Sequence, residues 1–162
     1  MAGKMNKKLV GFLWGIFCLG LFLVDRFSKV YMLENLQPVG EKTVIDGFLQ
    51  FSFIENRGAA FGILQGRIWF FIILTVVIGA VIIYFIRKLI IKSKYPEIIF
   101  SLILILAGAV GNLYDRIAYG FVVDFFELMF VDFAVFNVAD IFVVCGAVIL
   151  VLLLLFDVKE EL

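Results

Sequence analysis

The sequence predicts an integral membrane protein that is mainly α-helical, with four transmembrane helices and a small β-sheet on the outer membrane surface. The first reason is composition: the 162 residues are 64% apolar and only 17% charged, whereas a soluble domain is about 45–50% apolar and about 25% charged. A soluble fold of this length could not bury so much apolar surface. The second reason is that four apolar runs approach the ~20 residues that a helix needs to cross a bilayer.

The four runs give predicted spans at about 9–27, 68–86, 98–114 and 136–156, within a single membrane domain covering 1–162. The second and third runs carry no charge, and the fourth carries only Asp140. The first run ends at Asp25-Arg26 without a small-residue cleavage site, so we interpret it as a retained span and not as a removed signal peptide. Cys18 and Cys145 lie inside apolar runs, and we interpret both as small buried hydrophobes.

Basic residues predict the orientation of the spans. They cluster before the first span and in the 87–97 link, and cytoplasmic flanks are enriched in lysine and arginine. These residues are Lys4, Lys7, Lys8, Arg87, Lys88, Lys92 and Lys94. We therefore expect both termini in the cytoplasm and the segments 28–67 and 115–135 on the outer side.

The predicted sheet rests on a short alternating pattern in the first outer segment. Leu49, Phe51 and Phe53 alternate with two polar residues, a period of two that is typical of a strand with one buried face. Asp46-Gly47 precedes this stretch and is typical of a turn. A small sheet lying on the membrane surface is the structure that we expect here.

Polar side chains near the outer ends of the spans are the candidate functional residues. A charged side chain at a helix centre costs roughly 2.5–3.5 kcal/mol, so such residues mark functional sites by default. Asp25 and Lys29 are spaced i,i+4 in the order that favours pairing. The full set is Asp25, Lys29, Asn112, Asp115, Arg116, Asp124, Asn137 and Asp140.

The residue types narrow the chemistry. The chain has no histidine, which excludes histidine-dependent nucleophiles and histidine-ligated metals. Its 14 basic residues balance its 14 acidic residues, which argues against nucleic acid as a partner. Two carboxylates that share one proton can activate water to cleave a peptide bond. Membrane carboxylates also build ion or proton pathways. The residues alone leave open an Asp115–Asp140 pair, an Asp124–Asp140 pair and an ion site.

Five stretches occur in a fixed order along the chain: DRFSK at 25–29, ENRGAAFG at 55–62, GAVGNLYDR at 108–116, VVDF at 122–125 and FNVAD at 136–140. Each stretch alone is a weak indicator of a protein family, but all five in this order are a specific one. Over nearly its whole length the sequence resembles the bacterial lipoprotein signal peptidases, also called signal peptidase II. The resemblance implies an inner-membrane aspartic endopeptidase, without cofactor or metal, that cuts diacylglyceryl-modified prolipoproteins just before the lipidated cysteine.

The resemblance also assigns roles to individual residues. It implies that Asp124 and Asp140 are the catalytic pair and that Asp115 supports them. Ile141 departs from the family pattern, in which many members have serine or threonine, so a hydrogen bond from that position is not expected. The other positions that match polar family residues around the pair are Asp25, Lys29, Asn56, Asn112, Arg116 and Asn137.

Three further expectations concern the outer segments. Gly58, within a run of small residues that ends at Ala60, either forms a tight turn or lets a substrate backbone approach closely. Arg116 either pairs with Asp115 or holds the substrate. The amphipathic segment 125–135 is expected to lie on the membrane and gate the site.

Two other classes of function compete with a peptidase. An ion- or proton-conducting protein would use the same carboxylates, although four short spans leave little room for a pore in one chain. A structural or assembly protein would tolerate amides in place of both aspartates. Membrane lipids are expected partners in every case.

Overall fold

The structure, a computed structural model, describes residues 6–59 and 64–156. Within these ranges the helices are α1 (Lys7–Asn35), α2 (Ile68–Lys92), α3 (Pro96–Ala118) and α4 (Val138–Phe156). The strands are β1 (Glu41–Ile45) and β2 (Leu49–Asn56), which lie between α1 and α2, and β3 (Val122–Leu128), which lies between α3 and α4.

All four helices are long and apolar enough to cross a membrane. The shortest, α4, has 19 residues and is therefore about 28 Å long at 1.5 Å per residue, close to the ~30 Å hydrocarbon thickness of a bilayer. Together with the sheet described below, they confirm the predicted fold class. α1 continues to Asn35 and α3 to Ala118, so Lys29, Asp115 and Arg116 lie on helices that extend past the predicted spans 9–27 and 98–114.

α3 is the central helix, because each of the other three helices packs more extensively against it than against any other helix. Glycines let its backbone approach α4 closely, as small residues commonly do between membrane helices. A Cβ atom added to Gly108 would lie 2.2 Å from the carbonyl oxygen of Ala139, and one added to Gly146 would lie 2.7 Å from that of Ser101. This close packing fixes the start of α4, which carries Asp140, against α3.

The three strands form an antiparallel sheet in the order β1-β2-β3. β1 and β2 are joined by a tight turn in which Gly47 has a φ of 66°, a conformation that glycine adopts without strain. In the β2–β3 ladder Ile54 is opposite Asp124, next to an irregularity between Phe51 and Ile54. The sheet thus holds Asp124 in its third strand.

The segment 125–135 is not one surface element, so our interpretation of it needs correction. Its first four residues complete β3, and Phe125 is only 1% exposed. Phe126 and Phe136 then exchange two backbone hydrogen bonds, of 2.8 and 3.0 Å. Only the loop 129–135, which these bonds close, remains available as a surface segment.

Candidate active site

Four buried charges lie side by side between α1 and α3. The Lys29 Nζ atom is 3.1 Å from Asp25 Oδ2 and 3.0 Å from Asp115 Oδ2, and all three side chains are fully buried. Arg26 pairs with Asp115 on its other oxygen. This buried charge cluster (Asp25, Arg26, Lys29 and Asp115) has two positive and two negative members, and such pairing is what makes buried charges tolerable.

The two carboxylates of the buried charge cluster also bind backbone groups next to the candidate catalytic residues. Asp25 Oδ1 accepts a hydrogen bond of 3.0 Å from the Ala139 N–H, and Ala139 directly precedes Asp140. Asp115 Oδ2 accepts one of 3.2 Å from the Val123 N–H, and Val123 directly precedes Asp124. The cluster therefore fixes the backbone on which each candidate aspartate stands.

Asn137 connects the two candidate aspartates. Its side-chain amide donates to Asp124 Oδ1 at 2.6 Å, and its backbone N–H donates to Asp140 Oδ2 at 3.1 Å. In return, the Asp140 N–H donates to Asn137 Oδ1 at 3.0 Å. This reciprocal pair is the arrangement of a capping box at a helix start, so the local structure that begins α4 also places Asp140 beside Asp124.

Two further asparagines complete the hydrogen bonds to the aspartates. Asn56, at the end of β2, donates to Asp124 Oδ2 at 2.8 Å. Asn112, on α3, donates to Asp140 Oδ1 at 2.7 Å. Each carboxylate thus accepts a hydrogen bond on both of its oxygens, and both are held in defined orientations.

Of the two candidate aspartates, Asp124 lies outside the membrane-spanning helices, and its environment favours the protonated form of its carboxyl group. Burial, and then repulsion from Asp140, raise the pKa of Asp124 from 3.8 to about 7, although the hydrogen bonds from Asn56 and Asn137 act in the opposite direction. Two nearby carboxylates cannot both ionise without cost. At neutral pH the site can therefore hold a proton on one acid beside an ionised partner.

Arg116 does not pair with Asp115, which was one of our two expectations for it. Its guanidinium donates to the carbonyl oxygens of Gly58 and Asn112, each at 3.3 Å, and lies 5.0 Å from the centre of the Phe71 ring. Asp115 takes its charged partners from α1 instead. Neighbouring residues on a helix point in different directions, which explains why Asp115 and Arg116 separate.

Gly58 forms a turn with Asn56 and is buried. The Gly58 N–H donates to Asn56 Oδ1 at 2.9 Å, and its carbonyl accepts from Arg116. Both backbone groups are therefore engaged within the chain, which favours the turn over the substrate-binding interpretation. Ala60, the last residue of the small-residue run, lies outside the described residues.

A cavity of about 480 Å³ opens in front of the two aspartates. Its polar wall includes Asn56 from β2 and Asn112 and Arg116 from α3, and its other walls are mostly apolar. Cys145, which we interpreted as buried, is exposed and lines it. Along α4 the wall is Asp140, Ile141, Val144 and Cys145, and the loop before α4 contributes Phe133, Ala134, Val135 and Phe136.

The sequence-based candidates fall into two groups in space. Asp25, Lys29 and Asp115 belong to the buried charge cluster, and the others surround the aspartates. Arg26 and Gly111 were missed. A Cβ atom on Gly111 would lie 2.4 Å from Asp25 Oδ2, and the only available signal was the position of these two residues inside the motifs. Among residues 6–59 and 64–156 no group of three histidine, cysteine or acidic side chains could hold a metal.

Comparisons with known proteins agree on one family. A family model described as "Signal peptidase (SPase) II" matches residues 17–156. The lipoprotein signal peptidase of Caldanaerobacter subterraneus subsp. tengcongensis is 48% identical over 133 residues, which cover 82% of this chain and 89% of the relative. That of Syntrophomonas wolfei is 43% identical over 149 residues, covering 91% of this chain and 95% of the relative.

The fold is similar to that of a solved bacterial membrane enzyme, with a TM-score of 0.80 and 30% identity over 93% of this chain and 92% of that one. A second solved bacterial membrane enzyme matches with a TM-score of 0.76 and 31% identity, over 90% of this chain and 94% of that one. Fold and site thus define a helical membrane enzyme. The chain belongs to the signal peptidase II family, a family of aspartic peptidases.

Proposed function

We propose that this protein is an aspartic endopeptidase that removes the signal peptide from diacylglyceryl-modified prolipoproteins and cuts just before the lipidated cysteine. The observation that carries the proposal is that Asn137 hydrogen-bonds to both Asp124 and Asp140 at the wall of one cavity. Membership of the signal peptidase II family supports it. Ion conduction, the alternative considered from the sequence, is not favoured.

In the proposed reaction Asp140 is ionised and Asp124 carries the proton. Asp140 lies in the first turn of α4, where the helix dipole favours a negative charge, and the raised pKa of Asp124 supports its protonated state. Asp140 removes a proton from a water molecule, whose oxygen attacks the scissile carbonyl carbon. Asp124 donates its proton to the carbonyl oxygen, which gives a neutral gem-diol.

The gem-diol then collapses. Asp140 passes its proton to the amide nitrogen as the carbon–nitrogen bond breaks, and Asp124 takes a proton from a gem-diol hydroxyl as the new carboxyl group forms. The lipidated cysteine leaves with a free amino group, and both aspartates return to their starting states. No covalent enzyme intermediate forms.

The shape of the cavity supports a lipid-linked substrate. Its polar wall faces the reacting peptide bond, while its apolar wall runs down α4 from Ile141 to Val144 and Cys145. A diacylglyceryl group anchors stably in a membrane and places its acyl chains at the depth of this wall. Arg116 stands at the polar wall and is the proposed contact for substrate carbonyl groups.

The proposed location is the bacterial cytoplasmic membrane, with both termini in the cytoplasm and the site at the outer face. The asymmetry of lysine and arginine in the sequence supports this orientation. We propose a single membrane domain whose partners are the prolipoprotein and membrane lipids, with no requirement for metal, cofactor or nucleic acid.

The test is cleavage of a purified diacylated precursor, followed by mass spectrometry. Asp124→Asn and Asp140→Asn should each abolish cleavage while the purified proteins keep the helical circular-dichroism spectrum of the wild type. Asp132→Asn, on the loop 129–135, is the matched control and should cleave normally. Substantial cleavage by either of the first two variants contradicts the proposal.

A further inference from the structure

The ammonium group of Lys29 makes two ion pairs and one hydrogen bond in one place. An ammonium group has three N–H donors and no acceptor. The Lys29 Nζ atom has three acceptors around it: Asp25 Oδ2 at 3.1 Å, Asp115 Oδ2 at 3.0 Å and Asn112 Oδ1 at 2.8 Å. A membrane-facing lysine would extend its charge to water, but this side chain is fully buried.

The hydrogen bond from Lys29 to Asn112 decides how the Asn112 amide is oriented. Because the Lys29 ammonium can only donate, it must face the oxygen of the amide and not its NH₂ group. The NH₂ group then faces the other way and donates to Asp140 Oδ1 at 2.7 Å. With the amide reversed, two acceptors, the amide oxygen and the Asp140 carboxylate, would face each other.

A second donor acts on the same oxygen more weakly. The Asn137 side chain donates to Asn112 Oδ1 at 3.2 Å, a longer bond between neutral groups. Charge-assisted hydrogen bonds are shorter and stronger, so Lys29 makes the larger contribution to the preferred orientation.

We propose that Lys29 is a positioning residue for the peptidase reaction, and that its ammonium fixes which end of the Asn112 amide faces Asp140. This inference rests on the proposed function. In this role Lys29 does not touch the substrate or the reacting atoms, and it acts through Asn112. The electrostatic balance of the buried charge cluster is a separate role of the same side chain.

The experiment separates these two roles with a double-mutant cycle in an Asp25→Asn background. In that background Lys29→Met leaves the remaining buried pair, Arg26 with Asp115, electrically neutral. The cycle compares Lys29→Met and Asn112→Leu, alone and combined, by kcat and KM on the diacylated precursor.

Lys29→Met should lower kcat about ten- to a hundredfold when Asn112 is present, the range that corresponds to a hydrogen bond with a charged partner. KM should stay within a factor of about two, because Lys29 does not contact the substrate in the proposed role. In the Asn112→Leu background Lys29→Met should lower kcat no further. Equal losses in both backgrounds, or no loss in either, overturn the inference.

A second measurement needs no substitution and remains decisive if a variant does not fold. In wild-type protein labelled with ¹⁵N-asparagine, the Asn112 side-chain NH₂ protons should show no strong NOE to the Lys29 Cε protons. A strong NOE would mean that the NH₂ group faces Lys29 and would overturn the inference. The outcomes also separate the two proposals: if wild-type protein cleaves and the cycle is additive, the positioning role alone fails, whereas absence of wild-type cleavage contradicts the proposed function.

Discussion

The carboxylate of Asp25 accepts a hydrogen bond of 3.0 Å from the backbone N–H of Ala139, a residue 114 positions further along the chain. This bond joins the first helix to the first turn of the last one, immediately before Asp140. It is one of two such bonds, since Asp115 binds the N–H that precedes Asp124. The position of both candidate catalytic residues therefore depends on charges buried behind them, and this dependence can be tested.

Gly111 leaves the space that the Asp25 carboxylate occupies. We expect Gly111→Ala to destabilise the protein by about 1–3 kcal/mol, the usual cost of overpacking, because the new Cβ atom would lie 2.4 Å from Asp25 Oδ2. Cleavage should fall as well, since Asp25 would move away from Ala139. The measurements are thermal unfolding in detergent and cleavage rate.

Gly15→Ala is the matched control for this prediction. No atom lies within 4 Å of a Cβ added there, and alanine is the better helix former by about 1 kcal/mol. It should keep full activity and equal or greater stability. If Gly15→Ala and Gly111→Ala behave alike, the steric explanation is wrong.

Arg26 balances the buried charge cluster. Arg26→Leu should cost about 3–5 kcal/mol of stability, because removal of one partner leaves a buried charge uncompensated. The double change Arg26→Leu with Asp115→Asn keeps Lys29 paired with Asp25 and should recover part of that loss. Denaturant titration of the two proteins checks the order of stability, and a double variant less stable than Arg26→Leu contradicts it.

The pH dependence of activity should report the protonation of Asp124. Its pKa of about 7 predicts that cleavage falls as the pH rises through about 7, because the proposed reaction needs the protonated acid. Asn56→Leu removes a hydrogen bond that favours the charged form, so this alkaline limb should move to higher pH. A limb that stays in place in the Asn56 variant would assign it to another group.

The raised pKa of Asp124 also predicts how the stability of the protein depends on pH. Since the folded-state pKa of Asp124 lies above its unfolded value of about 3.9, the folded state binds more protons between these values. The free energy of unfolding should therefore fall as the pH rises from about 4 to above 7. Asp124→Asn should remove this part of the dependence, which unfolding measurements across that range can detect.

The loop 129–135 offers a test of the gating role predicted for this part of the chain. Phe133 lines the cavity, whereas Phe130 stacks on Phe48 outside it, with ring centres 4.9 Å apart. Phe133→Ala should raise KM several-fold with little change in kcat if the loop closes over bound substrate. Phe130→Ala is the control and should leave KM unchanged; equal effects of the two variants would contradict gating through Phe133.

Local patterns in the sequence were sufficient for the helices, for the alternating strand β2 and for the Asp25–Lys29 pair, whose i,i+4 spacing lies within one helix. β3 was not predicted, because it is buried and its sequence VVDFFEL shows no simple alternation. The charged partners of Asp115 could not be predicted from the sequence either. They come from α1, and nothing in the order of residues along α3 distinguishes a pairing with Arg26 from one with Arg116.

The bridge between Phe126 and Phe136 also has a consequence for association between copies of the chain. It pairs with the free side of β3 at Phe126, and residues 122–125 of that strand are buried, so β1 is left as the open margin of the sheet in the described part of the chain. β1 is only five residues long and begins with Glu41 and Lys42. A short, charged margin discourages strand addition from a neighbouring molecule, so we expect few sheet contacts between copies of this chain.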